Sequence, residues 1–201
     1  MASQSWGQLI ATIPIAGTQY NTYTTAKSML TSATATEASS GFITLPPGFF
    51  QRGSLLTVDF LAAISNRVTG PDTFTIQVMV GAVIAYTSGA ITLTTTAHTN
   101  IPLRGHIELS CRTVGNGTLS ALMGIGTYTG QMIQQGGTAG ADSATLSNTI
   151  IMPNTAPAVG TGFDSTVAST LDFFVAQSVS NAGNGFRLDE YRVVSWGNST
   201  V

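Results

Sequence analysis

Apolar side chains recur at every second position along two neighbouring stretches of the chain. The stretches are 54–64 and 74–80. Successive side chains of a β-strand point to opposite faces, so this period predicts two strands with one buried face each. Gly and Pro in the intervening segment 66–72 have turn chemistry. We therefore expect two long antiparallel strands joined by a loop. The apolar positions are Leu56, Val58, Phe60, Ala62 and Ile64 in the first strand and Phe74, Ile76, Val78 and Val80 in the second.

The clearest alternation in the chain lies in residues 101–111. Apolar residues occupy one face there, and Arg104, His106 and Glu108 lie on the other. One buried face and one polar face are typical of an antiparallel sheet. Residues 114–118 contain Asn-Gly, which tolerates the positive φ of a tight turn. This pattern predicts a hairpin whose return strand begins at Leu119.

The last part of the chain contains two further strand patterns. Leu171–Gln177 is rich in apolar and aromatic residues, and a Gly- and Asn-rich turn follows it. The final strand is Phe186–Trp196. We expect these two strands to close the fold as a pair. The in-phase apolar positions of the final strand are Phe186, Leu188, Val194 and Trp196, with Glu190 and Arg192 as interruptions.

The pattern as a whole predicts about eight to ten strands and no convincing helix. A chain of 201 residues suits one sandwich domain. An immunoglobulin-like sandwich would have Cys and Trp markers that are missing here. The expected fold class is therefore all-β: an antiparallel two-sheet β-sandwich of jelly-roll type.

The N-terminal residues 1–22 are expected to form an extended arm ahead of a single domain, 23–201. Pro14 and Gly17 break any helix there. Such an arm, which can include one edge strand, packs either on its own domain or on a neighbouring subunit, and both alternatives stay open. The candidate contact residues of the arm are Trp6, Leu9, Ile10 and Ile13.

The polarity of the chain comes from uncharged residues. Only 8% of residues are charged, the net charge is −2, and no basic stripe exists. These features argue against nucleic-acid binding and favour a surface that partners cover, because charge keeps soluble surfaces apart. The sequence has no signal-peptide pattern and no membrane span. The single cysteine, Cys111, is expected in the core.

The ionisable residues show no catalytic pattern. His98 and His106 are too few for a transition-metal site, which needs three or four converging ligands. A glycosidase needs two carboxylates across a cleft, and the sequence leaves open whether Asp59 and Asp172 meet. We expect no enzyme, no metal and no cofactor.

Charges of both signs alternate in the segment Arg187–Arg192. Either this segment is the exposed polar face of an edge strand, or its charges pair across a subunit boundary. The candidate interface residues here are Arg187, Asp189, Glu190 and Arg192.

Three stretches carry a family resemblance: Leu45–Phe50, Arg112–Leu119 and Leu171–Ala182. Together they resemble jelly-roll virion proteins of tailed bacteriophages, of the head decoration (cement) type. The resemblance implies a non-enzymatic subunit that is assembled in the host cytoplasm and binds the major capsid protein on the capsid surface. It also implies a homo-oligomer, either a trimer or a dimer, of which we expect the trimer.

Two functions follow as expectations. The first is a capsid decoration protein that stabilises the shell through oligomeric contacts, with loops 130–144 and 153–166 among the contact candidates. The alternative is a tail or spike module that binds host surface glycans. The residues considered for the glycan site are Tyr128, Gln131, Gln134 and Gln135.

Overall fold

The computed structural model describes residues 4–13, 17, 19–30, 43–67, 72–134, 147–156 and 158–199. Within these ranges every regular element is a β-strand, and the strands form two antiparallel sheets around one core. The predicted all-β sandwich is confirmed. The strands are β1 Gln4–Ile13, β2 Lys27–Ser28, β3 Ile43–Leu45, β4 Leu55–Asn66, β5 Thr73–Val80, β6 Val83–Thr87, β7 Ile91–Thr92, β8 His98–Thr113, β9 Ala121–Gly130, β10 Asn148–Met152, β11 Ser169–Gln177 and β12 Gly185–Ser199.

The order of the strands is that of a jelly roll. The first sheet runs β1-β12-β4-β8-β9-β10 and the second runs β2-β11-β5-β6, with β3 also paired to β11 and β7 to β5. A jelly roll consists of eight strands in two sheets, wound as two Greek keys. Here β1, β12, β4 and β8 form one four-stranded half, and β2, β11, β5 and β6 form the other. The hairpin partner β9 and the strand β10 widen the first sheet beyond β8.

The predicted pairing of β4 with β5 is wrong. β4 pairs with β12 and β8 in the first sheet, whereas β5 pairs with β11 in the second. The connection after Asn66 therefore leads from one sheet to the other, and a salt bridge of 3.1 Å between Arg67 Nε and Asp72 Oδ2 ties its two ends. The expected pairing of β11 with β12 is also wrong, because β11 lies in the second sheet and β12 in the first. Alternation specifies which side chains are buried, but it does not specify the neighbouring strand.

The predicted buried faces of β4 and β5 are confirmed, since all of the positions given above are at most 3% exposed. A cluster of aromatic rings fills the centre between the sheets. Phe173 of β11 lies 4.9 Å from Phe60 and 5.9 Å from Tyr191, measured between ring centroids. Burying a large apolar side chain of this kind contributes about 1.5–3 kcal/mol. Cys111 is buried, as expected.

A β-bulge in β12 changes which side chains face the core. The pairing with β4 shifts between Leu188 and Glu190, which leaves Asp189 as an extra residue. After the bulge, Tyr191 and Val193 are fully buried, while Trp196 is 45% exposed. The prediction that Val194 and Trp196 share the phase of Phe186 is therefore wrong, because the bulge moves them to the outer face.

The N-terminal segment forms an edge strand of its own domain. Residues 4–13 pair with β12 along the whole length of β1, with a register shift between Leu9 and Ala11. The two alternatives for this segment were packing on its own domain and packing on a neighbouring subunit. The described residues pack on their own domain. The pairing places Gly7 and Leu9 beside the outward residues of β12.

Candidate binding groove on the outer face of the first sheet

The outer face of the first sheet is its surface away from the core, and its side chains lie in rows that cross the strands. In the first row Trp196 pairs with Gly7 on one side and Leu55 on the other. The next rows are two residues further along β12, a step of about 6.6 Å. The second row is Leu9, Val194, Thr57 and Glu108, and the third is Thr12, Arg192, Asp59 and His106.

These rows line a shallow groove of about 820 Å³, which we call the Trp196 groove. Its lining residues are Gly7, Leu9, Leu55, Thr57, Asp59, His106, Glu108, Arg192, Val194 and Trp196.

A glycine positions the tryptophan of the groove. A Cβ atom on Gly7 would lie only 2.6 Å from Cζ3 of Trp196, so the indole ring lies directly on the backbone of β1. The indole Nε1 donates a hydrogen bond of 3.3 Å to Thr57 Oγ1. The ring is therefore held at one edge while it stays 45% exposed. A large aromatic side chain fixed in this way has few rotamers to lose when it binds a partner.

Asp59 is the centre of an ionic network in the third row of the same groove. Its Oδ1 lies 2.6 Å from Nδ1 of His106, and its Oδ2 accepts a hydrogen bond of 2.8 Å from Nη2 of Arg192. The other nitrogen of His106, Nε2, lies 3.4 Å from Oε1 of Glu108. Three neighbouring strands, β12, β4 and β8, each contribute to this network, and the pairing register brings the side chains together.

The network keeps Asp59 ionised. Burial acts to raise the pKa of Asp59, but the hydrogen bonds from His106 and Arg192 outweigh it, and the net pKa is lowered. Burial acts to lower the pKa of His106, but the hydrogen bonds to Asp59 and Glu108 outweigh it, and the net pKa is raised. The groove therefore presents a fixed carboxylate between the Arg192 guanidinium and the imidazole of His106.

A second cavity of about 360 Å³ adjoins the Trp196 groove. Asp59 and Arg192 line both cavities. The second cavity adds Leu61 of β4 and the charged residues Arg104 of β8 and Glu190 of β12. The outer face thus has an apolar region around Trp196 and a more polar region around Glu190.

Asp59 lacks the property expected of a glycosidase general acid. A glycosidase acid needs a raised pKa, whereas the pKa of Asp59 is lowered. Asp172 has a pKa raised by burial, opposed by hydrogen bonds from Ser28 and the Phe173 amide. However, Asp172 belongs to β11 in the second sheet, with the core between it and the outer-facing Asp59. The two carboxylates do not form a catalytic pair.

Within the described ranges, no group of three or more His, Cys, Asp or Glu side chains could hold a metal ion. The same part of the chain contains no helix able to span a membrane.

The candidate interface residues of β1 are distributed over both faces. Leu9 lines the Trp196 groove and is 55% exposed, whereas Ile10 packs partly buried against the core. The backbones of Trp6 and Ile13 pair with Gly197 and Tyr191. The side chains of Trp6 and Ile13 lie outside the described part of the structure.

The charged segment of β12 does not lie on an edge strand, because β12 is between β1 and β4. Arg187 Nε donates a hydrogen bond of 2.6 Å to Asp189 Oδ1 at the bulge. Arg192 binds Asp59 in the groove, and Glu190 lines the second cavity. Two of the candidate charges therefore lie in the binding surface, and the other two pair with each other.

Of the residues considered for glycan binding, Tyr128 does not lie on the surface. Tyr128 is fully buried, and its hydroxyl lies 2.9 Å from that of Tyr86, so Tyr128 cannot reach a sugar. Gln131 is exposed and Gln134 is half-buried, while Gln135 lies among residues 135–146, outside the description. The described part of 153–166 runs along β9, where Val159 and Phe163 pair with Met123 and Ser120.

Sequence reasoning missed the groove because the groove depends on strand order. The alternation of β8 correctly placed His106 and Glu108 on a polar face. Asp59 stood out as a polar residue among the apolar residues of β4. The signal for Trp196 was the pair of interruptions at Glu190 and Arg192, which the bulge explains.

No family model and no curated protein matches this chain. A solved structure, the CBM2 module of the evolved Dit of Lactobacillus casei BL23 phage J-1, aligns over 100% of both chains at 10% identity with a TM-score of 0.36. A similarity at this level does not support a shared function.

Proposed function

We propose that this chain is a non-enzymatic recognition subunit of a tailed-bacteriophage virion that binds a surface saccharide of the host in the Trp196 groove. The observation that carries the proposal is the half-exposed indole of Trp196, fixed on Gly7 in the same groove as the charged side chains of Asp59 and Arg192. The virion assignment is supported by the resemblance of the three sequence stretches.

The aromatic ring would supply the apolar part of the interaction. A pyranose ring with equatorial substituents presents C–H groups on its faces, and these pack well against an indole ring. Leu9 and Val194 continue the apolar surface beside Trp196. Binding sites of this kind combine an apolar surface with a few oriented polar groups.

The polar part of the interaction would come from the ionic network. Side chains of Glu108 and Arg192 are 47% and 53% exposed, so both keep hydrogen-bonding capacity toward the groove. Carboxylate oxygens accept from sugar hydroxyls, and guanidinium groups donate to them. Because Asp59 holds His106 and Arg192 in place, these groups are oriented before a ligand arrives.

Titration calorimetry against a panel of neutral host-type saccharides tests the proposal. Trp196→Ala is expected to weaken binding by about tenfold or more, the effect typical of a central aromatic contact. Leu119→Ala is a matched control, since Leu119 is 63% exposed but lies at the β8–β9 turn, away from the groove. Equal affinities of the wild type and Trp196→Ala would contradict the proposal.

A second candidate function, capsid decoration through oligomeric contacts, is favoured by a different surface. Val114, Leu119 and Val167 are 44%, 63% and 51% exposed. Val114 and Leu119 flank the β8–β9 turn, and Ser165, near Val167, donates its amide to Gly115 O at 3.1 Å. Exposed apolar residues grouped at one end of a domain are typical of contact surfaces.

Light scattering of the purified protein and sedimentation with empty capsids test this second candidate. An oligomer that Leu119→Asp dissociates, or capsid binding that Leu119→Asp abolishes, would support it. A monomer that ignores capsids would overturn it without affecting the groove.

A further inference from the structure

We infer that the ligand is a neutral, extended oligosaccharide that lies along β12 across both cavities, and not a single terminal sugar. This inference rests on the proposed function, because it specifies the ligand of the same groove. Four outward residues of β12 mark the course of the ligand from one end to the other. They are Trp196, Val194, Arg192 and Glu190.

The length of the surface supports an extended ligand. Glu190 precedes Trp196 by six residues in β12. At about 3.3 Å per residue, the two positions are separated by about 20 Å. Asp59 and Arg192 lie between them and line both cavities, so the surface is continuous. A single sugar ring would cover only one of its two ends.

The two ends offer different contacts. At the Trp196 end the ligand meets an aromatic ring with Leu9 beside it. At the other end it meets Leu61, which is 39% exposed, between Arg104 and Glu190. One sugar unit would therefore stack on the indole, while a unit further along would form hydrogen bonds to charged side chains.

The charges of the surface match a neutral ligand. Its carboxylates are Asp59, Glu108 and Glu190, and its permanent cations are Arg104 and Arg192. His106 is the remaining titratable group. The positive and negative charges nearly cancel, and Arg192 and His106 already bind Asp59. Of the two arginines, Arg192 already binds Asp59, so an anionic saccharide would meet the exposed Arg104 as a single cation among three carboxylates and not an arginine cluster.

Calorimetry with glucose and N-acetylglucosamine, together with their β-1,4-linked dimers and tetramers, tests the inference on the full-length chain. These sugars are uncharged, and their equatorial substituents leave C–H groups on the faces of the rings. We expect affinity for the better series to rise by about tenfold or more from monomer to tetramer. Glu190→Gln and Arg104→Gln should reduce tetramer binding by a larger factor than monomer binding.

Arg112→Gln is the matched control, because Arg112 is an exposed arginine of β8 outside both cavities. Thermal unfolding of each variant establishes that it is folded.

Each other outcome has a distinct meaning. If the monomer binds as tightly as the tetramer and binding requires Trp196, the extended ligand is wrong and the recognition function stands. The same conclusion follows if Glu190→Gln and Arg104→Gln leave tetramer affinity unchanged. If neither series binds, the inference is overturned, and a wider glycan panel that also gives no binding overturns the proposed function.

Discussion

The two faces of the first sheet consist of the same strands, yet their chemistry is opposite. On the inner face, Phe60 packs among Tyr128 and Phe173 at centroid distances of 6.2 and 4.9 Å. On the outer face, the neighbouring residue Asp59 holds His106 and Arg192. One step along the backbone separates the aromatic core from an ionic network.

This contrast indicates that the inner face stabilises the fold, while the outer face is available for the proposed recognition. The inner face stabilises the fold, because its apolar side chains are removed from water. The outer ion pairs are partly hydrated, and pairs of this kind contribute little to stability. Substitutions on the outer face can therefore change ligand binding while the fold persists. The following predictions test this separation.

The largest expected effect comes from a pair of adjacent substitutions. Phe60→Ala removes a buried ring and should lower the free energy of unfolding by about 3–5 kcal/mol. Asp59→Ala, one residue away on the outer face, should lower it by about 1 kcal/mol or less. Urea denaturation measures both. Similar losses for the two variants would show that the faces are not separated in this way.

A smaller effect on stability is expected at Gly105 of β8, which pairs with Phe60 of β4. A Cβ on Gly105 would overlap the ring atoms Cε1 and Cζ of Phe60. We expect Gly105→Ala to cost about 1–3 kcal/mol through overpacking. The double variant with Phe60→Leu should recover part of that loss, because the smaller side chain leaves room. Additive losses in this double-mutant cycle would argue against direct contact.

The outer-face counterpart is Gly7, whose added Cβ would meet the indole of Trp196. Gly7→Ala should change stability by about 1 kcal/mol or less, yet it should displace the ring and weaken saccharide binding. Tryptophan fluorescence in a Trp6→Phe background reports on Trp196 alone. Gln8→Ala, also on β1, is the control. Unchanged emission and unchanged affinity in Gly7→Ala would show that this glycine does not position the ring.

The smallest effect concerns pH. The pKa of Asp59 is lowered from 3.8, so its contribution to stability is present above 3.8 and is lost as the pH falls through the folded-state pKa. The pKa of His106 is raised from 6.5, so its contribution is complete below 6.5 and is lost as the pH rises through the folded-state pKa. Both contributions are therefore fully present between pH 3.8 and pH 6.5.

An NMR titration of the His106 ring protons checks this prediction. Asp59→Asn should lower the pKa of His106, because it removes the carboxylate that favours the imidazolium form. Asp189→Asn is the control, since Asp189 pairs with Arg187 instead. An unchanged His106 titration in Asp59→Asn would contradict the network.

The sequence predicted the strands and their buried faces because alternation is a local property. Val58, Ile76 and Leu109 lie inside as their positions require. The jelly-roll type was also predicted correctly from the number and spacing of the strands. The sequence did not predict which strands are neighbours in a sheet. β4 and β5 are adjacent in the chain, yet they belong to different sheets. The pairing of strands is decided by contacts between residues far apart in the sequence, and a local pattern contains no information about those contacts.

The groove lay beyond sequence reasoning for the same reason. Asp59 and Arg192 are 133 positions apart, and only the β12–β4 register brings them together. His106 and Glu108 were recognised as polar-face residues without a known partner. Trp196 was assigned to the core because the interruptions at Glu190 and Arg192, although visible in the sequence, do not by themselves identify a bulge.

The extra residue Asp189 has a consequence for the whole C-terminal end of β12. Every side chain after it points the opposite way from the direction that an unbroken strand would give it. Deleting Asp189 would restore an unbroken alternation of inward and outward side chains along β12. Trp196 and Arg192 would then turn inward, and Tyr191 and Val193 would turn toward water. A single inserted residue thus turns Arg192 and Trp196 outward, where they line the proposed binding groove.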